Sequence, residues 1–248
     1  MPDRYEILIV GGGHAGAEAA WAGANLGARV ALVTLDASKI GVMSCNPSIG
    51  GLAKGQMVRE IDALGGLMGL AADSAGINFK VLNASKGPAV RGPRAQCDKH
   101  AYAETVQRLL RSRPEIDIIE SGVEDLIIEG DRCVGARLVD RADTSRDLRA
   151  GAVVLTTGTF MRAIMHTGEA RTPGGRHGER AAVGISAALE RLGFELGRLK
   201  TGTPPRLRRE SLDWESLEPQ HGDDPPVPFS DLTDPADFPR LEQVACRI

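Results

Sequence analysis

Apolar runs and a helix-forming stretch alternate at the start of the chain. Ile7 to Val10 form a continuous apolar run, which is typical of a strand buried on both faces of a parallel sheet. Good helix formers extend from Ala15 to Leu26, and Gly27 stands where a helix commonly ends. Arg29 to Thr34 form a second strand-like run. This order predicts a right-handed βαβ unit.

The pattern further along predicts more helices and an antiparallel meander. The predicted helices extend over 53–64, 99–111 and 181–192, and the predicted strands over 116–120, 123–129, 133–139 and 153–156. Asp98 stands at the capping position of the second of these helices. Polar turns place the meander near 123–150, and we interpret 153–156 as a separate buried strand that returns to the sheet. We therefore expect an α/β protein with a Rossmann-like fold and an antiparallel β-meander.

Composition narrows the class of protein. The chain has 248 residues, of which 42% are apolar and 25% charged, with a formal net charge of −3. These values exclude collagen-like, disordered and coiled-coil proteins. No apolar run approaches the ~20 residues that span a bilayer, and no signal-peptide pattern opens the sequence, so we expect a cytoplasmic protein that is not bound to a membrane. The spacing of the four cysteines fits no zinc site, so we predict no bound metal.

A glycine-rich hexapeptide follows the first predicted strand and opens the first helix. Its residues have the spacing G-x-G-x-x-G and are Gly11, Gly12, Gly13, His14, Ala15 and Gly16. In a dinucleotide site the first glycine permits a tight turn, the second lets the main chain approach a pyrophosphate, and the third lets the helix pack on the strand. The alternative is a glycine-rich turn that binds nothing. The flanking strand and helix favour dinucleotide binding.

The spacing leaves both FAD and NAD open as the dinucleotide. The acidic residue that normally ends the second strand and binds a ribose would be Asp36, two residues after Thr34. The meander and the returning segment that ends in Thr157 and Gly158 favour FAD, because flavoproteins with two dinucleotide domains insert such a meander in the FAD domain. Thr157 and Gly158 thereby join the candidate cofactor contacts.

A cysteine stands in a turn-rich loop after the second strand. Cys45 precedes Asn46 and Pro47 and lies near the predicted start of a helix and near Lys54. Such surroundings lower the pKa of a thiol, which makes Cys45 a candidate nucleophile or redox partner. The alternative is a buried thiol that packs as a small apolar group.

Several motifs in fixed order closely resemble the MnmG (GidA) family. They occupy residues 11–20, 43–51, 58–66, 85–91, 94–96, 155–160 and 198–206. The resemblance implies a FAD-binding fold of the two-dinucleotide flavoprotein type and a tRNA uridine 5-carboxymethylaminomethyl modification enzyme. Gly11 to Gly16 would hold FAD, Val123 would contact its adenine side, and Cys45 would be the first of two reactive cysteines.

The same resemblance implies cosubstrates and partners. Such an enzyme modifies C5 of the wobble uridine in tRNA with the GTPase MnmE, takes carbon from methylenetetrahydrofolate and accepts NADH as reductant. It would be a homodimer that forms a heterotetramer with MnmE. Six cations in two basic segments are candidates for contact with tRNA phosphates: Lys86, Arg91, Arg94, Arg198, Lys200 and Arg206. They could equally bind the flavin pyrophosphate or form a solvated face.

Two departures from the family are expected to matter. Ala182 stands where family members carry a serine that contacts FAD, and the family runs to more than twice this length. We therefore predict a FAD-binding domain at 1–160, a basic extension at 161–209 and an acidic, proline-rich segment at 210–248 that begins a truncated second domain. We expect the isolated chain to be inactive. The alternatives are a folate- and FAD-dependent tRNA uridine methyltransferase and a non-catalytic FAD-binding fragment.

Overall fold

The computed structural model describes residues 4–44, 46–175, 181–202, 204–205 and 207–247. The helices are α1 (His14–Asn25), α2 (Lys54–Ala63), α3 (Met68–Ala75), α4 (Lys99–Arg111) and α5 (Gly184–Arg191). The strands are β1 (Arg4–Val10), β2 (Val30–Thr34), β3 (Ser48–Gly50), β4 (Gly76–Leu82), β5 (Gly92–Cys97), β6 (Ile116–Glu120), β7 (Gly122–Glu129), β8 (Arg132–Val139), β9 (Ser145–Leu155), β10 (Ile164–Thr167), β11 (Ala170–Pro173), β12 (Pro219–Gln220) and β13 (Cys246–Arg247).

The chain folds into two compact units. Unit 1 comprises Met1–Gly41 and Arg108–Leu199, and unit 2 comprises Val42–Gln107 and Lys200–Ile248. The sequence therefore leaves unit 1 after β2 and returns to it within α4. The domain boundaries at 160 and 209, which follow composition and charge, stay a prediction.

Unit 1 is built on a six-stranded sheet with the order β6-β2-β1-β9-β8-β7. The pairs β6–β2, β2–β1 and β1–β9 are parallel, whereas β9–β8 and β8–β7 are antiparallel. Buried side chains of β1, β2, β8 and β9 form the core on one face. On the other, α1 packs closely because its facing positions are small: a Cβ at Gly23 would lie 2.9 Å from the Val30 side chain. The predicted Rossmann-like fold with a meander is present.

The strand predicted at 153–156 begins earlier than expected. It is the end of a longer strand, β9, which begins at Ser145 and also completes the meander. Its first residues pair antiparallel with β8, and from Arg149 onward it pairs parallel with β1. The sequence pattern changes inside β9 because its two halves have different neighbours, so the separation was an error.

Unit 2 contains an antiparallel sheet with the order β3-β5-β4 beside α2 and α3. The last part of the chain lies along the free edge of β4: Asp223 N–H donates to Phe79 O at 2.8 Å, and Val244 N–H donates to Ile77 O at 2.7 Å. Covering an edge strand in this way satisfies backbone groups that would otherwise face solvent. The terminal segment is therefore attached to the sheet of unit 2 at these two positions, despite its irregular pattern.

A buried carboxylate in α3 holds the same terminal segment. Asp73 is 2% exposed and accepts hydrogen bonds from Phe229 N–H (2.7 Å), Ser230 N–H (2.9 Å) and the Thr233 hydroxyl (2.6 Å). Burial raises the pKa of Asp73, while these three donors act in the opposite direction. The arrangement replaces the water that a carboxylate loses on burial.

Helix α4 has the cap that the sequence predicts. Asp98 Oδ1 accepts hydrogen bonds from the backbone N–H groups of His100 (2.8 Å) and Ala101 (3.0 Å), which lower the pKa of the Asp98 carboxyl. Tyr102, Val106 and Leu110 are buried along one face. Among the described residues, no helix has the length and apolar character that crossing a membrane requires.

Tyr5 provides a test of the core of unit 1. Its side chain is 1% exposed, and its hydroxyl donates to Asp117 Oδ2 at 2.8 Å. We expect Tyr5→Phe to lower the free energy of unfolding at pH 7 by about 1–2 kcal/mol, because the Asp117 carboxylate loses a donor. Urea unfolding of both proteins measures this difference.

The same pair predicts a pH dependence. Burial, followed by the bond to and charge of Asp117, raises the pKa of Tyr5 from 10.0 to about 12. Because the folded state holds the phenol proton more tightly than the unfolded chain, wild-type stability should fall as the pH rises from 10.0 to about 12. The Tyr5→Phe variant should lack this part of the decline. Equal slopes in the two proteins would contradict the prediction.

Candidate functional site

The carboxyl ends of β2, β1 and β9 meet at one edge of the parallel part of the sheet. From β1 the chain continues to β2 and β6 on one side, and β9 is added on the other. The strand order therefore reverses at β1. Ligands of open α/β sheets bind in the crevice outside such a reversal.

The first turn after β1 is closely packed. Gly11 has a φ of +111°, and a Cβ there would lie 2.4 Å from Thr156 O. A Cβ at Gly16 would lie 1.8 Å from Gly11 O. The Thr156 hydroxyl lies 2.9 Å from Val10 O and 3.0 Å from Gly11 O, at donor distance from both carbonyls. Glycine at positions 11 and 16 thus lets α1, β1 and the end of β9 come together.

Gly12 allows the chain after β2 to cross this turn. A Cβ at Gly12 would lie 2.8 Å from Cγ1 of Ile40 and 2.9 Å from Oγ1 of Thr34. Gly41 N–H donates to Gly12 O at 3.1 Å. Gly12 therefore serves the packing of two loops within unit 1.

Gly13 differs from the other three glycines because the space beside it is open. It is the N-cap of α1, with φ −72° and ψ −173°, and no described atom lies within 4 Å of the position that its Cβ would occupy. The N-terminal end of α1, including His14 and Ala15, carries the positive end of the helix dipole. An open, side-chain-free approach to a helix N-terminus fits a phosphate group.

A carboxylate stands just beyond the end of β2. Asp36 Oδ1 accepts hydrogen bonds from the backbone N–H (2.8 Å) and hydroxyl (2.6 Å) of Ser38. The Ser38 hydroxyl is the main cause of the lowered pKa of Asp36, so the group is ionised at neutral pH. An ionised acceptor at this position is suited to a ribose hydroxyl.

Val123, Thr157 and Gly158 lie on elements of the same unit. The Thr157 hydroxyl lies 2.9 Å from Met161 Sδ, and Gly158 has a φ of +59° with open space at its Cβ position. Val123 is half-buried on β7 and packs against the core. Gly158 therefore exposes backbone, without a side chain, beside the end of β9. Val123 packs against the core of unit 1.

Cys45 and Arg206 lie outside the described residues. Of the loop around Cys45, Ser44 and Asn46 are exposed and Met43 is buried. Cys97, by contrast, is buried on β5, and burial raises the pKa of its thiol to about 12, which makes it unreactive as a nucleophile. Among the described residues, no three His, Cys, Asp or Glu side chains are grouped to hold a metal ion.

The remaining cations of the predicted nucleic-acid set have different surroundings. Lys86 and Arg91 are exposed on the turns between β4 and β5, whereas Arg94 is half-buried within β5. Arg198 is exposed in unit 1 and donates to Arg162 O at 2.9 Å. Lys200 is exposed in unit 2. Lys86, Arg91 and Arg94 thus belong to one hairpin, and of these three Lys86 and Arg91 are exposed.

Sequence reasoning omitted Thr156 and Ile40 from the site. Thr156 forms the bonds that hold the turn, and Ile40 limits the space at Gly12. A threonine directly after a buried strand was visible in the sequence, but nothing in the pattern revealed which strand lies beside β1.

Residues 6–248 match the family model described as glucose inhibited division protein A, or GIDA. The chain belongs to the GidA family. It is 53% identical over its whole length to the tRNA uridine 5-carboxymethylaminomethyl modification enzyme MnmG of Granulibacter bethesdensis, and 50% identical over 98% of its length to that of Rhodopirellula baltica. The family resemblance of its motifs is thereby confirmed.

Solved structures of the GidA family share the fold. The chain superposes on Aquifex aeolicus GidA with a TM-score of 0.91 and 45% identity, covering 99% of this chain and 41% of that one. A GidA-related protein from Thermus thermophilus gives a TM-score of 0.55 at 25% identity, covering 77% of this chain and 69% of that one. The chain spans only 39% and 38% of the two curated relatives.

The packing of the glycines in this turn predicts unequal effects of the same substitution on stability. An alanine inside a helix normally stabilises relative to glycine by up to ~1 kcal/mol. Gly16→Ala should instead destabilise by about 3 kcal/mol or more, because its Cβ overlaps Gly11 O and backbone must move. Gly13→Ala, where space is open, should change stability by less than about 1 kcal/mol. Urea unfolding checks both, and equal effects would contradict the packing argument.

Proposed function

We propose that this chain is the FAD-binding, amino-terminal part of a tRNA-modifying flavoenzyme that adds a carboxymethylaminomethyl group at C5 of the wobble uridine. The observation that carries the proposal is the open, side-chain-free approach to the N-terminus of α1 at Gly13, located where the strand order reverses. The MnmG names of relatives at 50% and 53% identity supply the reaction.

The residues present fit the diphosphate and ribose of a dinucleotide. Backbone N–H groups at the start of α1 would bind the diphosphate, and the absent side chain at Gly13 would let it approach. The Asp36 carboxylate would accept a hydrogen bond from a ribose hydroxyl. Gly158 would offer backbone contacts at the end of β9, and Val123 would contact the adenine side. When bound, FAD supplies oxidation or activation of a folate-derived one-carbon unit.

The substrates and partners in this proposal come from the family. tRNA would be the substrate, methylenetetrahydrofolate the carbon donor and NADH the reductant. The GTPase MnmE would be the partner of a homodimer in a heterotetramer. Lys86 and Arg91 support a nucleic-acid contact, since both are exposed on one hairpin and could neutralise phosphates. Cys45 is proposed to act as nucleophile or redox partner in the reaction.

A FAD titration tests the cofactor site. Wild-type chain should quench flavin fluorescence on binding, and Gly13→Ala should weaken the affinity at least tenfold, because the new methyl group occupies the approach of the diphosphate. Gly197→Ala is the matched control, since its Cβ would also enter open space in unit 1. A wild-type chain that does not bind FAD, or equal affinities in all three proteins, would refute the site.

Mass spectrometry of tRNA tests the reaction. Deleting the gene should remove the carboxymethylaminomethyl group from wobble uridine, and restoring a full-length protein should return it. Cys45→Ser in that full-length protein should abolish the modification, whereas Cys133→Ser should not. A deletion strain that instead lacks a methyl group on uridine would favour the methyltransferase alternative, and undiminished modification by Cys45→Ser would remove that residue from the mechanism.

A further inference from the structure

Unit 2 contains a cavity of about 380 Å³ that the proposed dinucleotide site does not use. Its walls come from β4, from β5 and from the terminal segment between Asp223 and Pro235. Pro93, Val227 and Phe229 make part of the lining apolar. The volume is that of a pocket for a small organic molecule.

Two cations face this cavity from neighbouring strands. Lys80 on β4 and Arg94 on β5 are direct cross-strand partners, and both line the cavity and are half-buried. Like charges directly opposite each other in an antiparallel pair destabilise the sheet. The pair therefore places two positive charges side by side on the wall of the cavity.

The protein itself supplies little compensation for these charges. Lys80 Nζ donates to His221 O at 2.8 Å, and Arg94 Nη2 donates to Gln220 Oε1 at 3.1 Å, both neutral acceptors. Across the part of the chain that the structure describes, neither cation forms an ion pair with a carboxylate. Arg94 Nε is buried, and within those same residues it has no hydrogen-bond partner.

The other charged groups of the cavity are already engaged. Arg59 forms an ion pair with Asp231 at 2.8 Å, and its guanidinium also donates to Phe229 O. Asp223 Oδ2 accepts the backbone N–H of Val81 at 2.7 Å. Asp223 keeps its negative charge in that hydrogen bond, so the lining has three cations, Arg59, Lys80 and Arg94, against two carboxylates and is positive on balance.

We infer that this cavity binds a small organic anion, whose phosphate or carboxylate group is held by Lys80 and Arg94 and whose apolar body contacts Pro93, Val227 and Phe229. A guanidinium fork beside an ammonium group suits either anion, because both offer paired oxygens. An anion there relieves the repulsion between the two cations. The site belongs to unit 2 alone and does not depend on the proposed function.

Calorimetric titration with four probes tests the ligand class. Phenyl phosphate and benzoate present the two anions on an aromatic ring, inorganic phosphate lacks the ring, and phenol lacks the charge. We expect at least one aromatic anion to bind the chain at least tenfold more tightly than phenol and than inorganic phosphate, and the tighter of the two identifies the preferred anionic group. Equal binding of phenol, or no binding of either aromatic anion, would overturn the inference.

Substitutions locate the site. Arg94→Met and Lys80→Gln should each weaken binding of the aromatic anion at least tenfold, whereas Lys99→Gln, which removes an exposed positive charge of unit 2 outside the cavity, should leave it unchanged. Circular dichroism checks that each variant folds. If Arg94→Met does not fold, Arg94→Lys replaces it, because lysine keeps the positive charge but lacks the paired N–H donors of the guanidinium group. Affinities equal to the wild type in the Lys80 and Arg94 variants would overturn the site.

Discussion

The approach of α1 to the end of β1 is the contact on which the rest of unit 1 depends. Gly11 and Gly16 allow it, since a Cβ at either position would overlap backbone oxygen, and Thr156 links the end of β9 to the same turn. The order of the parallel strands brings β2 and β9 to either side of this turn. The close packing and the open space at Gly13 are therefore two results of one turn: three glycines are needed for the fold, and the fourth leaves the helix N-terminus accessible.

Unit 2 obtains its stability by a different route. Its terminal segment has little regular structure, yet it covers the edge of β4 and is held by carboxylates of two helices. Asp73 in α3 receives three hydrogen bonds, and Asp62 in α2 accepts the backbone N–H of Asp231 at 3.0 Å. Hydrogen bonds between distant parts of the chain thus attach this segment to the unit, in addition to the regular pairing of β3, β5 and β4.

The elements that the sequence predicted correctly are those with local signals. The apolar runs of β1 and β2, the cap of α4 at Asp98 and the meander are each determined by neighbouring residues, and each is present. Helix α3 and the β4–β5 hairpin were not predicted, because α3 is rich in small residues and the hairpin carries charges on half-buried positions. The position of the terminal segment in unit 2 depends on contacts with residues more than a hundred positions earlier in the chain. No local sequence pattern reveals these contacts.

The two candidate sites show why one was visible in the sequence and the other was not. A phosphate site made of backbone N–H groups requires glycine at fixed spacing, so its signature is contiguous in the chain. The cations of unit 2 are separated by the β4–β5 turn, and only strand pairing places Lys80 opposite Arg94. As single residues they are ordinary basic positions of a charged segment. The information that distinguishes them is the absence of a carboxylate partner within the described structure, which is a property of the fold and not of the sequence.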